Sequence, residues 1–525
     1  MYMPGRATPK QPVVSRVDAA SAPSSRLRAA DRDYLALVSD AAFANPFGAR
    51  RRQLDAGLVE SSPVANVEDP HWTPRMRERL NARLRGLLAA GPAALARLPE
   101  HDRVLVENAV CFETFHRFIG ELRDYIEAQE SAGERPLRVS FAGELLRHLS
   151  AHGIASERAL RIFELFYQMG RAHYFISRGL VGQSAAMSSL RERLWETIFT
   201  RDILCYEQYL WNRMEDFSTI LVGETGTGKG AAASAIGRSG FIPFDEKKSA
   251  FSHGFALSFV PINLNEFADT LFESEIFGHR KGAFTGAGDD YRGVLARCPE
   301  YGTVFFDEIG EATLPIQVKL LRVLQERLYT PVGSREPSRF GGRIVAATHR
   351  SLDELRERGA LRDDFYYRLC SNVVELPPLR VRIAQEKSEL PALIEHLCAR
   401  IAGADTRSLA REVSEKIERD LGPRYGYPGN VRELEQCVRR VLLTGGCAPD
   451  LARPLDAERQ LAAQLTRGEL SAEALLARYC GLLHQRSSSY VEVARITGLD
   501  RRTVKRHVAA LRADPRRANA VRNQL

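Results

Sequence analysis

No stretch of this 525-residue sequence approaches eighteen consecutive apolar residues, so a membrane-spanning helix, which needs about twenty, is not expected. The opening MYMPGRATPKQPVVSR also lacks the apolar run of a secretory signal. Cysteines stand at 111, 205, 298, 370, 398, 437, 447 and 480, none in a C-x-x-C pair or at zinc-ligand spacing. That pattern points to reduced thiols in a cytosol, used as core fillers. An acidic cluster with a downstream lysine, the mark of a phosphoacceptor receiver domain, is missing too. These absences predict a soluble, cytoplasmic chain whose input signal is not phosphorylation of that kind.

What is present suffices for several cores. Hydrophobic residues make up 44% of the chain, and its length suggests three or four domains. The formal charge of +8, from 74 basic and 66 acidic side chains, is uneven. Between Asp500 and Arg522 eight Lys or Arg face two Asp, a net +6 that favours phosphate contacts, although such runs are commonly solvated faces. Residues 1–29 mix Pro, Ser, Ala and Arg without periodicity and read as a disordered arm. From 30 to 178 the pattern is helical. Thr73 and Pro74 read as an N-cap and first-turn proline before Met76, Leu80, Leu84, Leu87 and Leu88. A second run carries Phe112, Phe115, Phe118, Ile119, Leu122 and Ile126, and a third Ile162, Phe163, Phe166, Tyr167 and Tyr174. The spacings predict packed amphipathic helices, with the aromatic stripe as core rather than ligand pocket.

Chemistry begins at Ile220-Leu221-Val222, a short apolar strand followed by GETGTGKG: Gly223, Glu224, Thr225, Gly226, Thr227, Gly228, Lys229 and Gly230. Strand, glycine-rich loop and small-residue helix AAASAIG follow one another as a phosphate loop requires. The loop's N–H groups converge on phosphate oxygens, the helix N-terminus adds its dipole, and Lys229 reaches the β- and γ-phosphates of ATP. Gly230 stands where many such loops place a Ser or Thr on magnesium. Further on, TVFFDE (303–308) is an apolar strand ending in two acids. Asp307 would order a magnesium ion and Glu308 would polarise the attacking water.

Between these halves lies GAFTGA: Gly282, Ala283, Phe284, Thr285, Gly286 and Ala287. Gly-Ala pairs bracketing Phe284 and Thr285 suit a mobile tip presenting one aromatic ring. The segment ESEIFGHRKGAFTGA (273–287) resembles the contact loop of the sigma-54-dependent transcriptional activators, the bacterial enhancer-binding proteins. The resemblance runs roughly from Gly179 to Arg512, with several motifs in family order. It implies an α/β AAA+ P-loop ATPase with a helical lid, hydrolysing ATP with magnesium in an oligomeric, hexameric ring, its 282–287 loop touching sigma-54 of the RNA polymerase holoenzyme. It also implies roles. Asn263 in FVPIN matches the asparagine that restrains the acid after the magnesium ligand, here Glu308. RIVAATHR (343–350) resembles the segment sensing γ-phosphate, with Thr348 and His349. LRDDFYYRL (361–369) resembles the segment giving two arginines, here Arg362 and Arg368, to a neighbour's nucleotide, and YGYPGNVRELEQ (425–436) the turn and helix bringing Arg432 to the phosphates. Departures are Gly230 where the family commonly has Glu, Tyr427 where it has Trp, and two apparent extensions. One is RDILCYEQYLWNRMEDF, between Gln183 and the phosphate loop, and the other FDEKKSAFSHGF (244–255); either could remodel a subunit interface.

Near the end, Ser471 reads as an N-cap for a helix bearing Leu475, Leu476, Tyr479, Leu482 and Leu483. YVEVARITGLDRRTVKRHVAALR (490–512) follows, with Val491, Ala494 and Ile496 apolar, a turn at Gly498, Asp500 as cap, and Val504, Val508 and Leu511 inward. Arg501, Arg502, Thr503, Lys505 and Arg506 are left outward at the start of the second helix, the arrangement of a helix-turn-helix reading double-stranded DNA. It resembles the Fis-like domain ending most of these activators. The expected organisation is an arm (1–29), a mostly α input domain (30–178), an α/β ATPase (179–382), a helical lid (383–450), a linker (451–469) and an all-α DNA-binding domain with a basic tail (470–525). Its expected function is ATP-driven remodelling of sigma-54 polymerase from upstream DNA. The alternatives are a DNA-binding regulator with weak or lost ATPase, for which Gly230 is the warning, and an unfoldase serving a protease, against which GAFTGA and the terminal helices argue.

Overall fold

Short apolar runs without polar alternation become the strands of one sheet. They are β1 (Thr219–Val222), β4 (Phe259–Asn263), β5 (Thr303–Asp307), β8 (Arg343–Thr348) and β9 (Asn372–Glu375), all parallel, in the order β4-β5-β8-β1-β9. Two hairpins stand apart, β2 (Phe244–Asp245) with β3 (Ala250–Phe251) and β6 (Leu328–Tyr329) with β7 (Ser338–Arg339). This computed structural model describes residues 27–59, 72–88, 93–266, 269–403, 406–423, 425–447, 461, 464–465, 470–487 and 489–513. Nearly all of the expected arm and linker therefore lies outside the described residues.

Both faces of the sheet are buried, which is why its strands read as continuous apolar runs. Ile220, Ile262, Val304, Phe306, Ile344 and Ala346 point to one face, under helices Asp269–Phe277, Leu314–Glu326 and Asp363–Leu369. Leu221, Phe305, Val345, Ala347 and Val374 point to the other and join a core containing helices Ala185–Phe199 and Lys229–Gly237. That same core continues without a break into residues 27–180. The expected helices are present there as Ala29–Phe43, Ala49–Leu58, Trp72–Leu87, Ala93–Ala96, Glu100–Arg117, Ile119–Ala132, Ala142–Ala151 and Ser156–Gly179.

Local departures have physical reasons. The helix expected to be capped by Thr73 already includes Trp72, whose indole N–H donates to Asp55 O at 3.0 Å. The second aromatic run is two helices, because the chain turns at Phe118 (φ −101°, ψ 12°), which leaves Ile119 exposed. Both suspected extensions pack against the N-terminal helices. In the hairpin β2–β3, Phe251 stacks on Tyr167 with ring centroids 3.8 Å apart, Phe244 meets Phe163 edge-on at 4.9 Å, and Ser249 O accepts from Val139 N at 2.8 Å. In the other, Tyr206 exchanges hydrogen bonds with Gln168 and Trp211 lies under the Arg161 guanidinium, 3.6 Å from the ring centroid.

Helices Leu379–Gln385, Glu389–Ala402, Arg407–Leu421 and Asn430–Thr444 follow the sheet. A second unit, Lys416–Arg424 with Val441–Leu525, carries helices Ala472–Ser487, Tyr490–Thr497 and Arg501–Ala513. Ser471, Ser489 and Asp500 cap them, with Asp500 Oδ1 accepting from Arg502 N (2.9 Å) and Thr503 N (3.0 Å). Its core is Cys480, Val493, Val504 and Val508. Of the apolar residues on these helices, Leu476, Tyr479, Val491 and Ile496 are exposed, whereas Val493 and Ala494 turn to the core. The Leu511 side chain lies outside the described residues. Cys398, Cys437, Cys447 and Cys480 are buried as core fillers, whereas Cys205 is exposed. No described helix is long and apolar enough to cross a membrane.

Candidate active site

Adjacent parallel strands β5, β8 and β1 end side by side, and an open parallel sheet binds ligands at such carboxyl ends. A cavity of about 290 Å³ opens there, bordered by Thr225 to Ala231, Asp307 and Glu308 from the strand ends, and Arg382, His396, Arg400, Arg432 and Glu435 from the helices beyond. The loop from Gly223 to Gly228 leads into helix Lys229–Gly237 at these strand ends. Gly226 (φ +81°) has no alternative, since a Cβ there would sit 2.2 Å from Gly429 O. Lys229 Nζ donates to Gly223 O (2.8 Å) and Glu224 O (3.2 Å), folded back over its own loop. Burial lowers its ammonium from the ordinary value, opposed by the charges of Glu308 and Asp307. Asp307 is pushed above the usual carboxylate range by burial and then by Glu308.

The helices beyond the sheet are stapled to this loop. Val431 N donates to Gly226 O at 3.0 Å, and the buried Asn430 amide donates to Thr225 O (3.0 Å) and Glu224 Oε2 (3.1 Å) while its oxygen accepts from Leu379 N (2.7 Å). Arg380 clasps Glu224 through both guanidinium nitrogens, at 2.6 and 2.7 Å. Tyr427 is buried and meets Tyr425 edge-on at 5.1 Å. On the other side of the cavity the segment GLVGQS is held by a buried ion pair, Arg382 Nε to Glu389 Oε1 at 2.6 Å. Glu389 accepts from Gln183 N (2.7 Å) and Ser184 N (3.0 Å), and Arg382 donates to Val181 O (2.6 Å). Gly182 (φ +144°) is required, because a Cβ would lie 2.2 Å from Glu389 Oε1.

Of the residues singled out by sequence, Thr225, Gly226, Thr227, Gly228, Lys229, Gly230, Asp307, Glu308 and Arg432 border the cavity together, whereas Gly223 and Glu224 do not. Thr348 is fully buried at the end of β8, its hydroxyl oxygen accepting from Arg350 N at 3.1 Å. Arg362 and Arg368 are exposed and do not border this cavity; Arg362 pairs with Asp364 at 2.7 Å and Arg368 Nε donates to Leu324 O at 3.4 Å. Asn263 lies beside Asp307 in the β4–β5 register, yet its amide donates to Glu266 Oε1 (3.2 Å) and its oxygen accepts from Asn265 N (3.1 Å). The Glu308 carboxylate is instead held by His349.

Phe284 is exposed at the turn but not unsupported. Its ring lies edge-on against His279 at 4.9 Å, and Ala287 N returns to Phe284 O at 3.0 Å. Positive φ at Gly282 (+79°) and Gly286 (+102°) closes the turn, and Arg280 pairs with Asp290 at its base (2.7 Å). In the second unit Arg501, Arg502, Lys505 and Arg506 are exposed on one helix, while the Thr503 hydroxyl is committed to Asp500.

Sequence reasoning missed Asn430 as a latch, although YPGN placed it next to a helix start, missed Arg380 and Glu389, and named His349 without its contact to Glu308. Their partners are far away in sequence, and only chain topology brings them near.

Compared with known proteins, residues 205–376 match the family model of the Sigma-54 interaction domain and residues 385–462 that of the AAA+ ATPase lid domain. The DNA-binding transcriptional regulator NtrC of Azospirillum brasilense is 40% identical over 228 residues, 43% of this chain and 43% of that protein. The Nif-specific regulatory protein of Azotobacter vinelandii is 40% identical over 300 residues, 52% of each. The transcriptional regulatory protein ZraR of Klebsiella oxytoca is 34% identical over 336 residues, 62% of this chain and 67% of that protein. The chain thus spans about half the length of the first two and two thirds of the third.

Proposed function

The chain belongs to the family of sigma-54-dependent transcription activators, and we propose that it hydrolyses ATP in a cytoplasmic, hexameric ring and uses that energy to remodel sigma-54 RNA polymerase toward the open complex. The observation that carries this reading is a single AAA+ domain holding both a cavity bordered by Lys229, Asp307, Glu308 and Arg432 and the GAFTGA turn.

Lys229, now folded over its own loop, is positioned to exchange two carbonyls for phosphate oxygens. In the reaction a water oxygen adds to the γ-phosphorus, the bridging P–O bond breaks, and ADP leaves with its electron pair. Glu308 takes the proton that water gives up. Arg432 balances negative charge from the lid side. Magnesium suits the residues present. Two adjacent acids, one pushed up by burial and by the other, are relieved by a divalent cation, and magnesium is usually bound by one or two carboxylates plus phosphates and waters. Asp307 would hold it, and the ion would supply charge neutralisation on the phosphates. Arg362 and Arg368, exposed and away from their own cavity, suit a neighbouring subunit's nucleotide. Asn263 would serve as a restraint on Glu308 in another step of the cycle, and Thr348 as the anchor of the turn that senses γ-phosphate.

Phe284 and its Gly-Ala flanks would contact sigma-54 once released from His279. The basic face Arg501, Arg502, Lys505 and Arg506 would bind upstream double-stranded DNA, raising local concentration near the polymerase. A second reading, a DNA-binding regulator with weak ATPase, draws on Gly230, which offers magnesium no hydroxyl. A Cβ at Gly230 meets nothing within 4 Å, so packing does not enforce the glycine.

Phosphate release and in vitro transcription with purified components test the proposal. The expected result is ATP-dependent open-complex formation with sigma-54 holoenzyme alone, abolished by Glu308→Gln with nucleotide binding retained, and abolished by Phe284→Ala with hydrolysis retained. Activation without ATP, or with another sigma factor, overturns it; DNA binding without phosphate release selects the second reading.

A further inference from the structure

We propose that His349 is the positioning residue for Glu308, setting the carboxylate that activates water; this rests on the ATP-hydrolase reading. Glu308 follows β5 and His349 follows β8, and the two strands are parallel neighbours with Phe306 opposite Ala346. His349 Nδ1 lies 2.7 Å from Glu308 Oε2, and His349 N donates to the same oxygen at 3.4 Å. A carboxylate only accepts, so Nδ1 carries the hydrogen. Among the described residues these are the hydrogen bonds that the carboxylate receives, and both fall on Oε2, leaving Oε1 to accept from water.

Three observations make this more than a surface pair. Glu308 sits in the left-handed region (φ 56°, ψ 49°), a conformation that costs a non-glycine residue free energy and needs surrounding structure to hold it. Glu308 borders the nucleotide cavity while His349 does not, so the imidazole grips it from outside the reaction space. A second link, Arg350 to Glu311, ties the same two strand-end turns together one residue beyond His349 and three beyond Glu308. Asn263, the residue expected to govern Glu308, is meanwhile engaged with Glu266 and Asn265.

A carboxylate oriented by two donors loses little freedom when the attacking water binds, whereas an unheld one must be ordered during the reaction. His349 therefore acts on turnover and not on nucleotide affinity. The full-length protein with His349→Ala, His349→Asn, Glu308→Gln and the His349→Ala/Glu308→Gln pair is assayed for phosphate release against ATP concentration and for binding of a fluorescent, non-hydrolysed ATP analogue. His349→Ala is expected to lower kcat by about tenfold, equivalent to about 1.4 kcal/mol, with KM and analogue affinity within about twofold. His349→Asn, whose amide nitrogen takes the place of Nδ1, should recover most of the loss. In the Glu308→Gln background, His349→Ala should cost nothing further.

An unchanged or raised kcat in His349→Ala overturns the inference. So do a parallel loss of affinity, equal damage from Asn and Ala, and additivity with Glu308→Gln. Hydrolysis by the unaltered chain with any of these results removes this inference alone; absence of hydrolysis in the unaltered chain removes the reading beneath it as well.

Discussion

Phe251→Ala is the substitution that best tests whether the N-terminal helices and the ATPase sheet are one folded body. Phe251 is 2% exposed, stacks on Tyr167 at 3.8 Å, and touches the rings of Phe244 (5.1 Å) and Phe163 (5.5 Å). Truncating a buried phenylalanine costs about 3–5 kcal/mol, from lost transfer energy plus a cavity the neighbours only partly close, and each favourable ring pair adds about 0.5–1.5 kcal/mol within that total. Folded domains are stable by about 5–15 kcal/mol, so this is a large fraction. Because one apolar core runs from Leu35 and Met76 through Tyr167 and Phe251 to Val345, the loss should be felt on both sides. Urea unfolding followed by tryptophan fluorescence, from Trp72, Trp195 and Trp211, and by ATP-analogue binding should show both signals moving together to a lower midpoint with unchanged slope. Phe251→Leu, which keeps most of the volume, should lose less than about 1.5 kcal/mol. A loss below about 1 kcal/mol for Phe251→Ala, or fluorescence that shifts while analogue binding stays, refutes the shared core.

Arg382→Met should cost about 3–5 kcal/mol, since it strands Glu389, whose side chain is 0% exposed, without its cation; thermal unfolding measures it, and Arg382→Met/Glu389→Leu should recover part. Lowering the pH from about 7 to about 5 should cost roughly 2 kcal/mol through His116 alone. Burial, then the charge of Arg51, holds His116 down to about 3. The unfolded histidine therefore takes a proton near its ordinary value of 6.5 that the folded one refuses. Stability is intact above that value and is lost as the pH falls below it; urea midpoints across this range, flatter in His116→Gln, check the sign. Asp500→Ala should remove about 1 kcal/mol from the C-terminal helical unit by uncapping Arg501–Ala513, read by thermal melting of the helices, with Asp500→Ser nearly neutral.

How legible a residue was in the sequence followed the distance to its partner. The glycine-rich loop is one unbroken segment from Gly223 to Gly230, so its pattern is written locally, and Asp307 with Glu308 is written at the end of one strand. The partners of Glu308 and Glu389 are not. His349 reaches Glu308 only because β8 lies beside β5, and Glu389 meets Gln183 and Ser184 across about 205 residues. Helix faces were legible where several apolar residues agreed on a phase, as with Met76, Leu80 and Leu84, all buried. In Tyr490–Thr497, only eight residues long, too few apolar residues agree to fix a phase, and the core took Val493 while Val491, two positions earlier, is exposed.

The segments that looked like insertions join the N-terminal helices to the sheet. Arg171, fully buried in helix Ser156–Gly179, donates to Arg238 O (2.6 Å) and Gly240 O (2.7 Å), while Gln168 donates to Ser239 O (2.9 Å). Those carbonyls follow the C-terminal end of Lys229–Gly237, the helix whose first residue is Lys229. Helix ends leave carbonyls that need donors, and a cation there is favoured by the helix dipole. The N-terminal helices thus supply the polar partners at one end of the phosphate-loop helix, and the β2–β3 hairpin supplies apolar ones nearby. A domain joined by a tether can signal by swinging, but this arrangement forbids that without exposing Tyr167, Phe251 and an unpaired Arg171. Packed interfaces change between discrete arrangements instead of deforming continuously. A shift of helix Ser156–Gly179 against helix Lys229–Gly237 would therefore be delivered to the segment that carries Lys229.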